Sequence, residues 1–141
     1  MKKLLVGISI ALSFAILLFI AFYLLVYNKP HVDYIKAEVD IEVSGEKLFM
    51  DFKRDALSAA KKYNGKVLLV SGKVNYIENE DDLNIAVMVF DEGFFGDEGV
   101  RLNLQKGQEK SLKIGGSNKI KGFCAGYTEA DVIIEHASIL D

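Results

Sequence analysis

Between Leu4 and Tyr27 the chain reads LLVGISIALSFAILLFIAFYLLVY, 24 residues without a charge. As an α-helix that run rises about 36 Å, enough to cross a hydrocarbon core of roughly 30 Å with some tilt. A single segment in lipid must satisfy its own backbone hydrogen bonds, which a lone strand cannot do, so the run predicts an N-terminal transmembrane helix. Tyr23 and Tyr27 fall near its distal end, where amphipathic rings favour the membrane interface. A cleaved secretory signal would also start with basic residues such as Lys2 and Lys3. Its apolar stretch is usually about 7–15 residues and closes on a small-x-small cleavage site. Here the run is longer and ends Leu24-Leu25-Val26-Tyr27-Asn28-Lys29-Pro30, with no cysteine nearby for lipid attachment. An uncleaved signal-anchor is the expectation. Lys2, Lys3 and the initiator amine precede the run, while Lys29 and Lys36 follow it, and the positive-inside bias then exports everything after the anchor.

The remainder divides into a polar linker and lead-in segment, 29–43, and a domain, 44–141, after the tip and anchor of 1–28. Residues 29–141 keep 15 of the 17 basic residues and all 20 acidic ones, a net charge of −5. About 110 residues bury one core. An acidic surface repels a phosphate backbone, so no nucleic acid partner is expected. Cys124 is the single cysteine, which excludes an intrachain disulfide and a cysteine-rich metal site.

Ser44 is placed to cap a helix with Glu46 in its first turn. Leu48, Phe49, Phe52, Ala56, Ala59, Ala60 and Tyr63 then recur at helical spacing, and Asn64-Gly65 stops them. From Lys66 the period becomes two. Lys66–Ile77 predicts a first strand with Leu68, Val70, Val74 and Tyr76 on one face, and Gly72 marks a bulge or bend within it. Further strands are predicted over Leu83–Phe90, Val100–Gln105, Lys119–Tyr127 and Val132–Leu140, with Asp91–Glu98 as a loop. One amphipathic helix followed by five short strands, mainly β, suits a small closed barrel, which leaves no sheet edge exposed. The expected fold is an OB-like five-stranded barrel behind one transmembrane helix.

Ala59-Ala60-Lys61-Lys62-Tyr63 running into Asn64-Gly65-Lys66-Val67-Leu68, then Val70-Ser71-Gly72-Lys73-Val74, and later Ile120-Lys121-Gly122-Phe123-Cys124-Ala125-Gly126-Tyr127 before Asp131-Val132-Ile133-Ile134, resemble the tRNA-anti-like family of bacterial OB-fold domains. The resemblance spans about Val43 to Leu140. It implies an exported bacterial domain, here on the outer side of the inner membrane, and no established activity. Members carry a second cysteine in the last strand, near Ala137 here, opposite the one matching Cys124. This chain lacks it, which leaves Cys124 a free thiol expected to be buried in the barrel.

OB-folds that bind nucleic acid stack bases on aromatics along strands two and three. The polar faces expected there are Asn84, Ala86 and Met88, then Arg101, Asn103 and Gln105, which offer one cation and no aromatic. The acidic runs Glu78–Asp82 and Asp91/Glu92/Asp97/Glu98 could ligate a hard cation or serve as solvated turns. His31 and His136 are isolated, and no nucleophile motif or phosphate loop is present, so neither catalytic residues, a cofactor nor a metal is expected. Phe94-Phe95, between Gly93 and Gly96, is the most conspicuous local feature. One ring could plug the barrel end while the other contacts a partner or the membrane surface. Tyr76 and Tyr127 could line a ligand cleft or belong to the core, and Arg101 is the cation of the candidate contact set. The chain is expected to act as a membrane-anchored, non-catalytic binding or assembly module for an envelope protein. Alternatives are an oligosaccharide- or cation-binding role, or an enzyme without a recognisable motif.

The anchor has a direct test. Intact mass of membrane-extracted protein should include residues 1–30, and a reporter fused after Asp141 should be active only outside the cytoplasm. A mass lacking that segment, or a reporter active only in the cytoplasm, contradicts it.

Overall fold

A computed structural model describes residues 1–26, 33–34, 36–80 and 82–140. Two units are present, 1–32 and 33–141. In the first, helix α1 covers Lys2–Val26. Among the described residues no helix is long and apolar enough to cross a membrane. The structure therefore does not show the expected transmembrane helix. Tyr27, the helix stop at Pro30, His31 and Asp81 of the acidic turn lie outside the described residues.

The second unit is one sheet with two short helices. Its elements are β1 (Ile41–Ser44), α2 (Gly45–Arg54), α3 (Ala56–Tyr63), β2 (Val67–Lys73), β3 (Tyr76–Glu80), β4 (Leu83–Gly93), β5 (Gly96–Leu104), a 3₁₀ turn at Gln108–Ser111, β6 (Ser117–Tyr127) and β7 (Asp131–Leu140). The strand order is β1-β2-β6-β7-β5-β4-β3, with β1 parallel to β2, β5 parallel to β7 and the other neighbours antiparallel.

Seven strands replace the expected five, and the hydrogen-bonded sheet is open rather than a closed barrel. Two local events account for the count. The lead-in segment contributes β1, whose Val43 stands beside Val70. The long first strand splits in two at Val74-Asn75. Val74 bonds to the segment before β6, accepting from Gly115 N–H at 2.8 Å and donating to Gly116 at 3.3 Å. Asn75 donates its N–H to Val87 at 2.8 Å, and its side-chain oxygen accepts from Val89 N–H at 3.0 Å. One extended segment thus pairs with β6 through its first half and with β4 through its second. The bend expected at Gly72 lies two residues later. Gly72 itself stays in register with Asn118, and a Cβ there would meet Met88 Sδ at 3.0 Å, so its role is close approach.

The single predicted helix is also two. Ser44 caps α2 as expected, accepting from Lys47 N–H at 3.2 Å. At Asp55 the backbone leaves the helical region (φ −152°), and the carboxylate accepts from Ser58 N–H at 3.1 Å and Ser58 Oγ–H at 2.7 Å. Asp55 is a capping residue in mid-pattern, and capping restarts the helix at a new angle.

Leu48, Phe49, Phe52 and Tyr63 from the helices meet Leu68, Val70, Val74, Met88, Leu102, Ile120 and Ile134 in one core, each under 2% exposed. Burying each such side chain is worth about 1.5–3 kcal/mol. β4 is apolar on both faces, and its register opposes Ala86 to Leu102 and Met88 to Val100. Ala86 and Met88, expected on the polar face, are therefore core residues with zero exposure. Cys124 is fully buried, as expected of a free thiol in β6. Its partner in β7 is Ile134, whereas Ala137 pairs with Leu104 on the other side of β7.

Burial pushes the Cys124 thiol up to about 11 from 9.0. The folded state then holds the proton more tightly than the unfolded chain. Stability should fall as pH rises from about 9 towards 11, and Cys124→Ala should reduce that slope, most clearly near pH 9–10, while costing about 1 kcal/mol, the scale of a small core truncation. Cys124→Asp should prevent folding by burying an unpaired charge. Thermal melts across that pH range, with thiol labelling of the native protein, provide the check.

Candidate functional site

Cross-strand register decides which candidate residues meet. Val87 stands between Tyr76 on β3 and Arg101 on β5, and directly paired residues share a sheet face. Glu78, Ile85 and Asn103 form the next row of that face. Tyr76 and Arg101 are thus neighbours on the outside of the sheet, while Val87 beneath them is 1% exposed. Arg101 is fully engaged. Its Nε donates to Asp131 at 2.7 Å and its Nη1 to Glu78. Asp131 also accepts from Gly99 N–H at 3.0 Å, which ties β5 to the start of β7. Tyr76 donates its hydroxyl to Asp97 at 3.1 Å, and burial followed by that carboxylate raises its pKa. The face is a small aromatic and ionic cluster, with carboxylates outnumbering its cation.

Phe94 and Phe95 lie elsewhere. The expected loop Asp91–Glu98 is instead the end of the β4–β5 hairpin, paired at Asp91↔Glu98, Glu92↔Asp97 and Gly93↔Gly96. The two phenylalanines are its complete two-residue loop. Gly96, at φ +131°, adopts a backbone conformation that side chains resist. Phe94 and Phe95 are 95% and 99% exposed, with their rings edge to face at 5.0 Å. Neither plugs the barrel end. That place is filled from α2 by Phe49 and Phe52, which stack on Phe90 and Tyr127 at 5.9 and 5.3 Å. Tyr127 is therefore a packing residue whose hydroxyl donates to Glu129 O at 2.7 Å. Lys53 of α2 bridges to Asp91 and, at 2.9 Å, to Glu98, which fixes the base of the hairpin against the helix. Asp91, then Glu98, holds the Lys53 ammonium well above its ordinary pKa.

The remaining candidates stay apart. His136, at φ +52°, is exposed and stacks on Tyr34 at 4.6 Å. Among the described residues no group of three or more His, Cys, Asp or Glu side chains could hold a metal ion. A feature that the sequence reading missed is the notch between α2 and α3, where Lys47, Arg54 and Lys62 surround Asp51. Lys47, Asp51 and Arg54 are neighbours at helical spacing within α2, and the helix break at Asp55 adds Lys62 to them.

A curled, mostly antiparallel sheet with a strand that switches partners, plugged at one end by helices, defines an OB-fold domain. The chain belongs to the tRNA_anti-like family, whose sequence pattern it matches over residues 1–139. The match starts at the first residue, so the N-terminal helix falls within that pattern. A solved structure from Klebsiella pneumoniae subsp. pneumoniae MGH 78578, described as a candidate nucleic acid-binding lipoprotein, shares the fold. It matches with a TM-score of 0.52 and 13% identity, over 80% of this chain and all of that one. No curated protein matches the chain.

These comparisons correct one expectation. Net charge led to the exclusion of any nucleic acid partner, and that exclusion is overturned by the family membership and by the description of the solved lipoprotein. The physical fault is that net charge sums the whole surface, whereas phosphate contacts are made locally. Lys47, Lys53, Arg54, Lys61 and Lys62 are all gathered on α2 and α3 of this acidic chain.

Asp131 offers a test of the outer-face cluster. Asp131→Ala removes the acceptor of a buried backbone N–H and one partner of Arg101 together. It should destabilise the protein by about 2–3 kcal/mol in urea unfolding. A loss near zero would mean that the cluster holds nothing together.

Proposed function

We propose that the chain is a membrane-anchored, non-catalytic binding module that presents Phe94-Phe95 to a protein partner on the extracytoplasmic side. The observation that carries this reading is the nearly complete exposure of two adjacent aromatic rings on a hairpin paired right up to its loop. Exposed rings of this size gain nothing for the folded monomer, while a partner pocket would bury them at about 25 cal/mol per Å² of apolar area. The paired strands hold them in place, so little ordering cost falls on binding. Asp91, Glu92, Asp97 and Glu98 flank the rings and fit a partner surface that is apolar at its centre and basic at its rim. Anchoring rests on the uncharged run of Leu4–Tyr27 and on the exposure of Leu12, Phe14, Leu17, Phe19 and Phe22 along α1. A second reading, nucleic acid binding, is favoured by the description of the solved lipoprotein and by the basic residues gathered on α2 and α3.

One experiment separates the two readings. A photo-crosslinking residue is placed at 94 or 95 in the full chain in its own membranes, with position 57, also exposed on α3, as the control. A discrete protein adduct from 94 or 95 but not from 57 is expected. Phe94→Ser with Phe95→Ser should weaken that partner's binding while changing stability by less than about 0.5 kcal/mol. Adducts equal to the control refute the hairpin as a contact, and a nuclease-sensitive adduct instead supports the second reading.

A further inference from the structure

The notch between α2 and α3 is a surface cavity of about 280 Å³, lined among others by Lys47, Asp51, Arg54, Asp55, Ser58 and Lys62. Its charges are unevenly matched. Asp51, with a side chain 13% exposed, accepts its shortest bond from Tyr63 Oη–H at 2.6 Å. The three cations stand farther off, Lys47 at 3.2 Å and Arg54 and Lys62 at 3.4 Å. Charge-assisted N–H···O bonds normally close to about 2.7–2.9 Å, so three positive groups share one carboxylate and none satisfies itself there. The other acid, Asp55, is committed to Ser58 and the start of α3. The side chains of Lys47, Arg54 and Lys62 are 60%, 81% and 50% exposed, which leaves donors free to turn into the cavity.

The geometry points to a binding site for a phosphate group in this notch, with Lys47, Arg54 and Lys62 as donors and Asp51 as the carboxylate that holds them in position. A guanidinium fork beside two ammonium groups matches the oxygens of a tetrahedral oxyanion. Such an anion supplies the acceptors that Asp51 alone cannot. The same chemistry is offered by free phosphate and by an anionic lipid headgroup. This site is separate from the hairpin tip and does not depend on what the tip contacts.

The test uses the full chain in zwitterionic detergent, titrated with inorganic phosphate at constant ionic strength against chloride and followed by amide chemical shifts. Saturable shifts confined to residues 47–62 are expected. Arg54→Gln and Lys62→Gln should each weaken the affinity about tenfold, the scale of one charge-assisted hydrogen bond. Lys110→Gln, on the 3₁₀ turn, should leave it unchanged. Glycerol 3-phosphate, a lipid headgroup fragment, should bind more tightly than inorganic phosphate if the source is a lipid, and less tightly if it is free phosphate. Shifts that do not saturate, that chloride reproduces, or that survive both notch substitutions overturn the site.

Discussion

Val74 and Asn75 impose the constraint on which the domain depends. Consecutive backbone groups bond in opposite directions, one residue to the segment before β6 and the next to β4. Because β2 and β3 lie towards opposite ends of the strand order yet are joined by only two residues, the sheet must curl until those ends meet. Curling produces an inside, and every strand except β3 places residues in the resulting core. It also leaves an open end, which Phe49 and Phe52 fill from α2. The side chain of Asn75 secures the switch by capturing Val89 N–H, so the bend is held by a hydrogen bond as well as by chain continuity.

Once the sheet is curled, the charges segregate. The β4–β5 hairpin ends in two exposed rings between acidic residues, and Lys53 of α2 bridges two of those, Asp91 and Glu98. The two helices are the basic side of a domain that is acidic in sum. This arrangement explains why an argument from net charge excluded too much. A partner meets a local patch, screened from the rest within about a Debye length, and it does not meet the total.

Of the candidate residues, the ones legible in the sequence were those whose role is local. Phe94 and Phe95 stood out as two adjacent aromatics between glycines, although both are exposed where one was expected to plug the barrel end. Ser44 as a cap followed from spacing, and Cys124 as a buried thiol from its being the single cysteine and from the family resemblance. Tyr127 and Arg101 were ambiguous, since a tyrosine in a strand serves a cleft or a core equally well and an arginine's partners come from other strands. Glu78 and Asp131 lie 23 and 30 residues from Arg101, and no periodicity links them. The notch was illegible for a similar reason. Asp55 interrupts a helical pattern without disturbing its apolar spacing, and only the new helix angle brings Lys62 to Asp51.

By itself the sequence determined the apolar N-terminal helix, a mainly β domain of OB type, the placement of its last two strands and the inward direction of Cys124. These rest on composition and on periods of two and 3.6, which act over a few residues. Tertiary structure alone decided that one long strand would serve two neighbours and that β4 would turn Ala86 and Met88 inward. It also decided that Arg101 would be spent on Glu78 and Asp131. Each of these depends on which segments approach after the chain has curled. When a strand is apolar on both faces, or a charge has several distant partners to choose from, local pattern leaves the outcome open and long-range packing settles it.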